Sequence, residues 1–443
     1  MKGRNFFALY GRECRKVFCS LTFLLYAAAV FAMFYTQFYS GVNGPEVEPK
    51  QGESYYGTIA REVPEVLMPR ATESLLIEYL ANSYVAYPIG FYKEIRLTET
   101  KRGEMADIIC ELTGFTREEL DRFVRGIKGN HEKSGKNSFE IGEGNGDLQI
   151  DGNGFVVDGG GNLGEEAFSL PEYSFSESLT YERFRELMRA ADKLIGGKSK
   201  YSDTYIIYNF SQVPKTYEEA MEEYRLLIKE DGVTGGYARL YCDYVGIILG
   251  ILPVFVAVSL MQLDRRARME QLIYSRRASS AGIVFARYAA LVSVMILPVI
   301  ITAGIAQVKV MGYYPGVDMD LFAFARETFI WLFPQIMLVA AIGMVVTELA
   351  SGLIAILLQG AWWFGSLFSG SISGGIGKFS LMLRHNSLYK RDILMEQYGD
   401  LLFNRAFFTV LAILLVMFTA VIYEEKRRGR GIGIRVFGKN CKN

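Results

Sequence analysis

The chain has 443 residues, half of them hydrophobic, with 48 basic and 48 acidic side chains and a formal net charge of zero. Mean hydropathy is +0.16 although 22% of residues are charged, so charge must gather in some stretches and be absent from others. That cancellation gives no footing to a nucleic-acid partner, and five scattered cysteines with no CxxC pair and only two histidines, His131 and His385, argue against a zinc site or a disulfide framework.

Residues 1–16 place Phe6, Phe7, Leu9 and Tyr10 among basic residues, the pattern of an amphipathic helix on the inner membrane face; an ordinary basic anchor flank reads nearly as well. Residues 17–38, VFCSLTFLLYAAAVFAMFYTQF, make a first transmembrane helix. The apolar run is too long for a signal-peptide core and is followed by aromatics rather than small residues, which favours an uncleaved anchor.

Residues 39–238 are the stretch able to form a water-soluble α+β domain, rich in Asp and Glu. Helices are predicted at TESLLIEYLANSY, at TREELDRFVRGIKG with Thr116 and Glu119 in capping-box spacing, at LTYERFRELMRAADKLIGG, and at TYEEAMEEYRLLIKEDG with Thr216 and Glu219. DLQIDGNGFVVD reads as a hairpin turning on Asp151–Gly154. The surrounding Gly/Asn/Asp-rich segment suggests calcium through Asp147, Asp151, Asn153 and Asp158. It fails the EF-hand template, because Phe155 stands where a ligand is needed and no Glu closes the loop. DKLIGGKS misses a phosphate loop because Asp192 replaces the first Gly and the motif ends a helix; GGIGKFS misses it because Phe379 replaces Ser/Thr. No catalytic or metal-ligating constellation emerges. Cys110 and Cys242 both fall outside the predicted spans, so a pairing between them stays open.

Residues 239–425 carry five further spans, at about 245–263, 282–306, 328–349, 352–370 and 406–423, with Pro253, Pro298 and Pro334 inside three of them. The expected fold is a polytopic α-helical membrane protein with six transmembrane helices and one large extracytoplasmic domain. Basic clusters before the first span, between the second and third (264–281) and in the tail 426–443 all fall on one side, which makes both termini cytoplasmic and 39–238 external. The loop 371–405 dissents, with Lys378, Arg384, Lys390, Arg391 and Arg405; LYKRDILMEQYGDLL within it has an amphipathic look. Arg287 and Glu348 near the inner ends can snorkel. Gln359, Trp362 and Trp363 are candidates to line a pathway, against the plainer role of packing on lipid or neighbouring helices.

The 264–281 loop holds an apolar run between basic clusters, Met269, Glu270, Gln271, Leu272, Ile273, Tyr274, Ser275, Arg276 and Arg277, which a solvated loop would gain nothing from. It resembles the coupling segment of ABC-type export permeases of the type-two class, E-x-L followed by two hydrophobic residues and S-P-x-S. Glu270, Leu272, Ile273, Tyr274 and Ser275 match, Ser279 lies close to the second serine, and Arg276 replaces the proline. The region FRELMRAADKLIGGKSKYSD is similar, more loosely, to extracytoplasmic inserts of permeases from Gram-positive-type bacteria. The resemblance implies a transport subunit, not an enzyme. It has no cofactor of its own; ATP and Mg are bound by separate ABC ATPase subunits docking on the coupling segment and the N-terminal helix. A second permease copy, identical or paralogous, would complete the pathway. The substrate expected is a peptide, lipid or drug of hydrophobic or amphipathic character. Mechanotransmission without solute flux, and a receptor or sensor binding ligand through the outer domain, are the competing readings.

Overall fold

The computed structural model describes residues 3–87, 92–122, 124, 149–151, 154–156, 179–275, 278–373, 378–385, 387–389 and 391–430. They form two compact units, one of residues 57–215 and one of 1–56 with 216–443. The 57–215 unit is narrower than the 39–238 stretch: the Tyr217–Arg225 helix and its continuation Leu226–Glu230 belong with the other unit.

In the 57–215 unit, the helices Pro64–Ala81, Glu99–Thr113 and Tyr181–Ile195 pack around Leu67, Leu75, Met105, Ile109, Phe184 and Met188. Thr180 caps the last of these by accepting from the Arg183 N–H (3.3 Å), and Gly196 ends it at φ +117°, a conformation that suits glycine. Asp192 then accepts from the Ser199 N–H and hydroxyl, both at 2.7 Å, so the phosphate-loop look-alike is a helix stop. Thr116 and Glu119 form the expected capping box, through Thr116 N–H to Glu119 (2.8 Å) and Glu119 N–H to Thr116 (3.3 Å); where that helix ends lies outside the described residues. Among the described residues, strands occur only as antiparallel two-stranded ribbons: Thr58–Ala60 with Gln212–Pro214, Tyr84–Ala86 with Lys93–Ile95, and the expected hairpin Gln149–Asp151 with Gly154–Val156. Asp147, Asn153, Asp158 and His131 lie outside the described residues.

Among its described residues the other unit holds four helices long and apolar enough to cross a bilayer: Leu21–Tyr39, Ser280–Tyr313, Ala323–Leu349 and Tyr398–Arg427. The first starts later than residue 17. Val17 and Phe18 finish the preceding helix Gly3–Phe18, and the Ser20 hydroxyl restarts the chain by accepting from Phe23 N–H while donating to Val17 O. The last starts at Tyr398, eight residues before 406 by sequence number, so Leu401, Asn404 and Arg405 belong to it rather than to an interfacial loop. The short helix Arg391–Glu396 is what remains of the amphipathic segment, with Leu394 buried.

The expected span 245–263 is a broken one. Thr234–Leu249 and Leu252–Arg266 meet at a 44° bend. Pro253 opens the second half instead of sitting inside a continuous helix, because its missing N–H is harmless in a first turn. Pro334 likewise opens Phe333–Leu349 after a wide turn at Thr328–Leu332. Pro298 alone of the three lies inside an unbroken helix, the 34-residue Ser280–Tyr313. The expected span 352–370 falls in Gly352–Ser373, whose described apolar stretch is the shorter Gly352–Leu367.

A candidate coupling site at one end of the helical bundle

The chain leaves Leu252–Arg266, turns at Arg268 (φ +54°), and makes one short helix, Glu270–Tyr274, before Ser280–Tyr313 begins. Met269 N–H donates to Asp264 O at 3.0 Å, closing the turn. Ser279 caps the next helix by accepting from Gly282 N–H at 3.1 Å. The short helix is thus held between two rigid elements.

Its two faces differ. Ile273 and Tyr274 turn inward onto the apolar core, and Tyr274 meets Tyr423 edge-on at 5.4 Å. Met269 and Leu272 point away, 45% and 53% exposed, with Gln271 and Ser275 also exposed. Glu270 lies on this helix; its side chain, and Arg276 and Arg277 altogether, fall outside what is described.

The inner face is fastened by charge. Arg287 sits between Asp264, which it hydrogen-bonds, and Glu13, whose carboxylate is 3.6 Å from its Nε. Glu348 sits between Arg265 at 3.2 Å and Lys426 at 2.8 Å. One cation between two carboxylates faces one carboxylate between two cations, so the two triads together are neutral. Arg287 is 3% exposed and Glu348 4%, which corrects the expectation that they snorkel. Charges this buried persist only when paired. Arg427 donates from Nε to Tyr274 O (2.8 Å) and from Nη1 to Ala278 O (2.6 Å), and the Ser280 hydroxyl donates to Glu424. A cavity of about 10 Å³, lined by Met261, Asp264, Ile273, Tyr274, Arg287, Glu348 and Tyr423, lies among these groups; it is about the size of one water.

The N-terminal helix Gly3–Phe18 joins this site. Glu13 reaches Arg287, Leu9 packs on the core, and helix Ser280–Tyr313 lies alongside it. Phe7 is 71% exposed; Phe6 and Tyr10 are half-buried, and the two phenyl rings meet edge-on at 5.9 Å. Sequence reasoning found the loop and the helix but missed the fasteners Glu13, Asp264, Glu348, Glu424, Lys426 and Arg427. The available signal was an isolated acid within a basic flank, as at Glu13 and Asp264.

Gln359, Trp362 and Trp363 lie elsewhere, at the break in the bent pair. There, side chains from other helices donate to carbonyls near the break: Trp363 Nε1 to Ile247 O (2.7 Å), Gln359 Nε2 to Gly250 O (2.6 Å), and Gln335 Nε2 to Gly246 O (2.8 Å), which also accepts from Gly250 N–H (3.2 Å). Trp362 packs edge-on against Phe408 at 6.0 Å. These bonds are what a break in an apolar environment requires. Cys110 and Cys242 are both free thiols, Cys242 fully buried in Thr234–Leu249.

Comparison with protein-family models, with curated proteins and with solved structures finds no match to this chain.

Proposed function

We propose that this chain is the membrane-embedded permease subunit of an ATP-driven ABC exporter. It has six spans, both termini in the cytoplasm and the 57–215 unit outside. It works with separate ATPase subunits and a second permease copy to move a hydrophobic or amphipathic substrate across the cell membrane. The observation that carries this reading is the Glu270–Tyr274 helix. It offers exposed Met269 and Leu272 on one side; on the other, Tyr274 accepts from Arg427 and packs on Tyr423, beside the buried ion pairs that join the ends of Leu252–Arg266, Ser280–Tyr313, Phe333–Leu349 and Tyr398–Arg427 and the N-terminal helix. A push on such a helix reaches the spans without first deforming a soft loop, and a docking partner with two states supplies the differential contacts that a driven change needs. Two of the dissenting loop's basic residues are neutralised locally, which suits an external position: Arg391 pairs with Asp231 and Glu230, and Lys378 with Asp400.

Leu272→Asp, which alters an exposed side chain and no fastener, tests the reading. An ABC ATPase co-purifying with the chain in proteoliposomes should show ATP turnover coupled to flux, and Leu272→Asp should reduce that coupling at least about tenfold, roughly the loss of one buried apolar anchor. ATP turnover with no flux of any tested amphiphile would favour mechanotransmission. Full function of the chain without any ATPase would overturn both.

A further inference from the structure

Arg405 lies on the buried face of Tyr398–Arg427, 3% exposed, and among the described residues none of its three guanidinium nitrogens has a hydrogen-bond partner. The unit's other deeply buried arginines differ: Arg239 is paired with Asp231 and Arg287 with Asp264. Among the described residues, no carboxylate forms an ion pair with Arg405. Its recorded neighbours are the Phe408 ring, 5.9 Å from the guanidinium carbon, and buried Cys242. Phe408 leads to Trp362; its neighbour Trp363 and, one turn back, Gln359 donate to carbonyls at the broken span. The carbonyl oxygens of Gln335 and Gln359 are also buried without a partner. A polar group held unsatisfied inside an apolar bundle, beside a discontinuous helix, is placed as ligand sites between spans are placed.

We propose that Arg405 binds the acidic group, carboxylate or phosphate, of an amphiphile accommodated between the helices beside the broken span. A guanidinium presents paired N–H donors that match either group in bidentate fashion. In the enclosed conformation the empty site carries an unpaired charge, which disfavours closure. An anionic head group removes that penalty, so ligand binding and closure of the helices around it favour one another. The inference concerns binding alone and stands apart from the ATP-driven reading; neither fails with the other.

The test uses the purified full chain in phosphatidylcholine nanodiscs, with phosphatidylglycerol, oleate or inorganic phosphate added. Retained lipid is read by native mass spectrometry and stability by thermal unfolding. Wild type should retain phosphatidylglycerol or oleate selectively and unfold at higher temperature with it. Arg405→Gln should lose about tenfold or more in affinity, and Arg405→Lys should fall between the two. In phosphatidylcholine without added acidic lipid, Arg405→Gln should unfold no lower than wild type, since an unpaired buried charge has been removed. Equal retention by wild type and Arg405→Gln overturns the proposal. So does wild type stabilised no more by acidic than by zwitterionic lipid, a measurement that needs no variant to fold. Displacement of the lipid by millimolar phosphate would identify a soluble anion and overturn the amphiphile as its source.

Discussion

Burial decides what a carboxylate contributes to the 57–215 unit. Glu78, 5% exposed, accepts from the Tyr201 hydroxyl at 2.6 Å and pairs with Lys200 at 3.1 Å. Burial raises its pKa above the ordinary carboxylate value, and Lys200 and the hydrogen bonds only partly oppose this. Stability from a raised acid is fully present below the ordinary value and is lost as pH rises through the raised one. Glu111, exposed and bonded by Arg183, is lowered and acts in the opposite sense: its contribution is lost as pH falls through its lowered value. Calorimetry of the full chain between about pH 4 and pH 8 should therefore show the unit's transition falling toward the neutral side, and Glu78→Gln should flatten that fall. Glu78→Ala, which removes the acceptor shared by Tyr201 and Lys200, should cost about 2–3 kcal/mol. Nothing in the sequence singles out Glu78 among its acidic neighbours. Its helix was legible from TESLLIEYLANSY, but the partner Tyr201 lies 123 positions on, and pairing at that distance leaves no local pattern.

At the scale of elements, close approach is written in glycines. A Cβ on Gly343 would stand 2.8 Å from Ala257 Cβ, whereas one on Gly304 meets nothing within 4 Å. Gly343→Ala should destabilise the purified chain by about 1–3 kcal/mol through overpacking against Leu252–Arg266. Gly304→Ala should be neutral or stabilising by up to about 1 kcal/mol from helix propensity. Melting curves of the two variants should move in opposite directions or only the first should move. The long apolar helices were legible because a bilayer demands about 20 apolar residues whatever the fold. Their ends were not. The last helix runs through Asn404 and Arg405, which an apolar-run reading excludes, and the second expected span breaks at Gly250, where side chains from elsewhere donate to the carbonyls of Ile247 and Gly250. The 264–281 loop was legible as an apolar run between arginines, but the charges packed beside it were not, since Glu13, Glu348 and Lys426 come from three separate segments.

At the scale of the whole molecule, the reading with both termini inside makes one side of the membrane carry the 57–215 unit and the other the 264–281 loop. Protease added to intact cells should cut within 57–215 and leave a fluorescent protein fused after residue 443 untouched and bright. Loss of that fusion, or protection of 57–215, would reverse the orientation. Tyr201, Phe210 and the rest of that unit's core form a cluster separate from the core of the apolar unit. Substitutions such as Glu78→Ala should accordingly leave the melting of the helical bundle unchanged.

The bonds from Arg427 to Tyr274 and Ala278 have a bearing on how the protein is made. Tyr274 is followed by 153 positions of chain before its fastener is synthesised. Throughout that interval the loop is anchored at its ends but open on its inner face, and only insertion of the final helix brings Arg427, Lys426 and Glu424 to close it. A partner that recognises the fastened helix would find no finished surface on a half-inserted chain. The geometry thus orders assembly: that face is complete only once the last helix is in place.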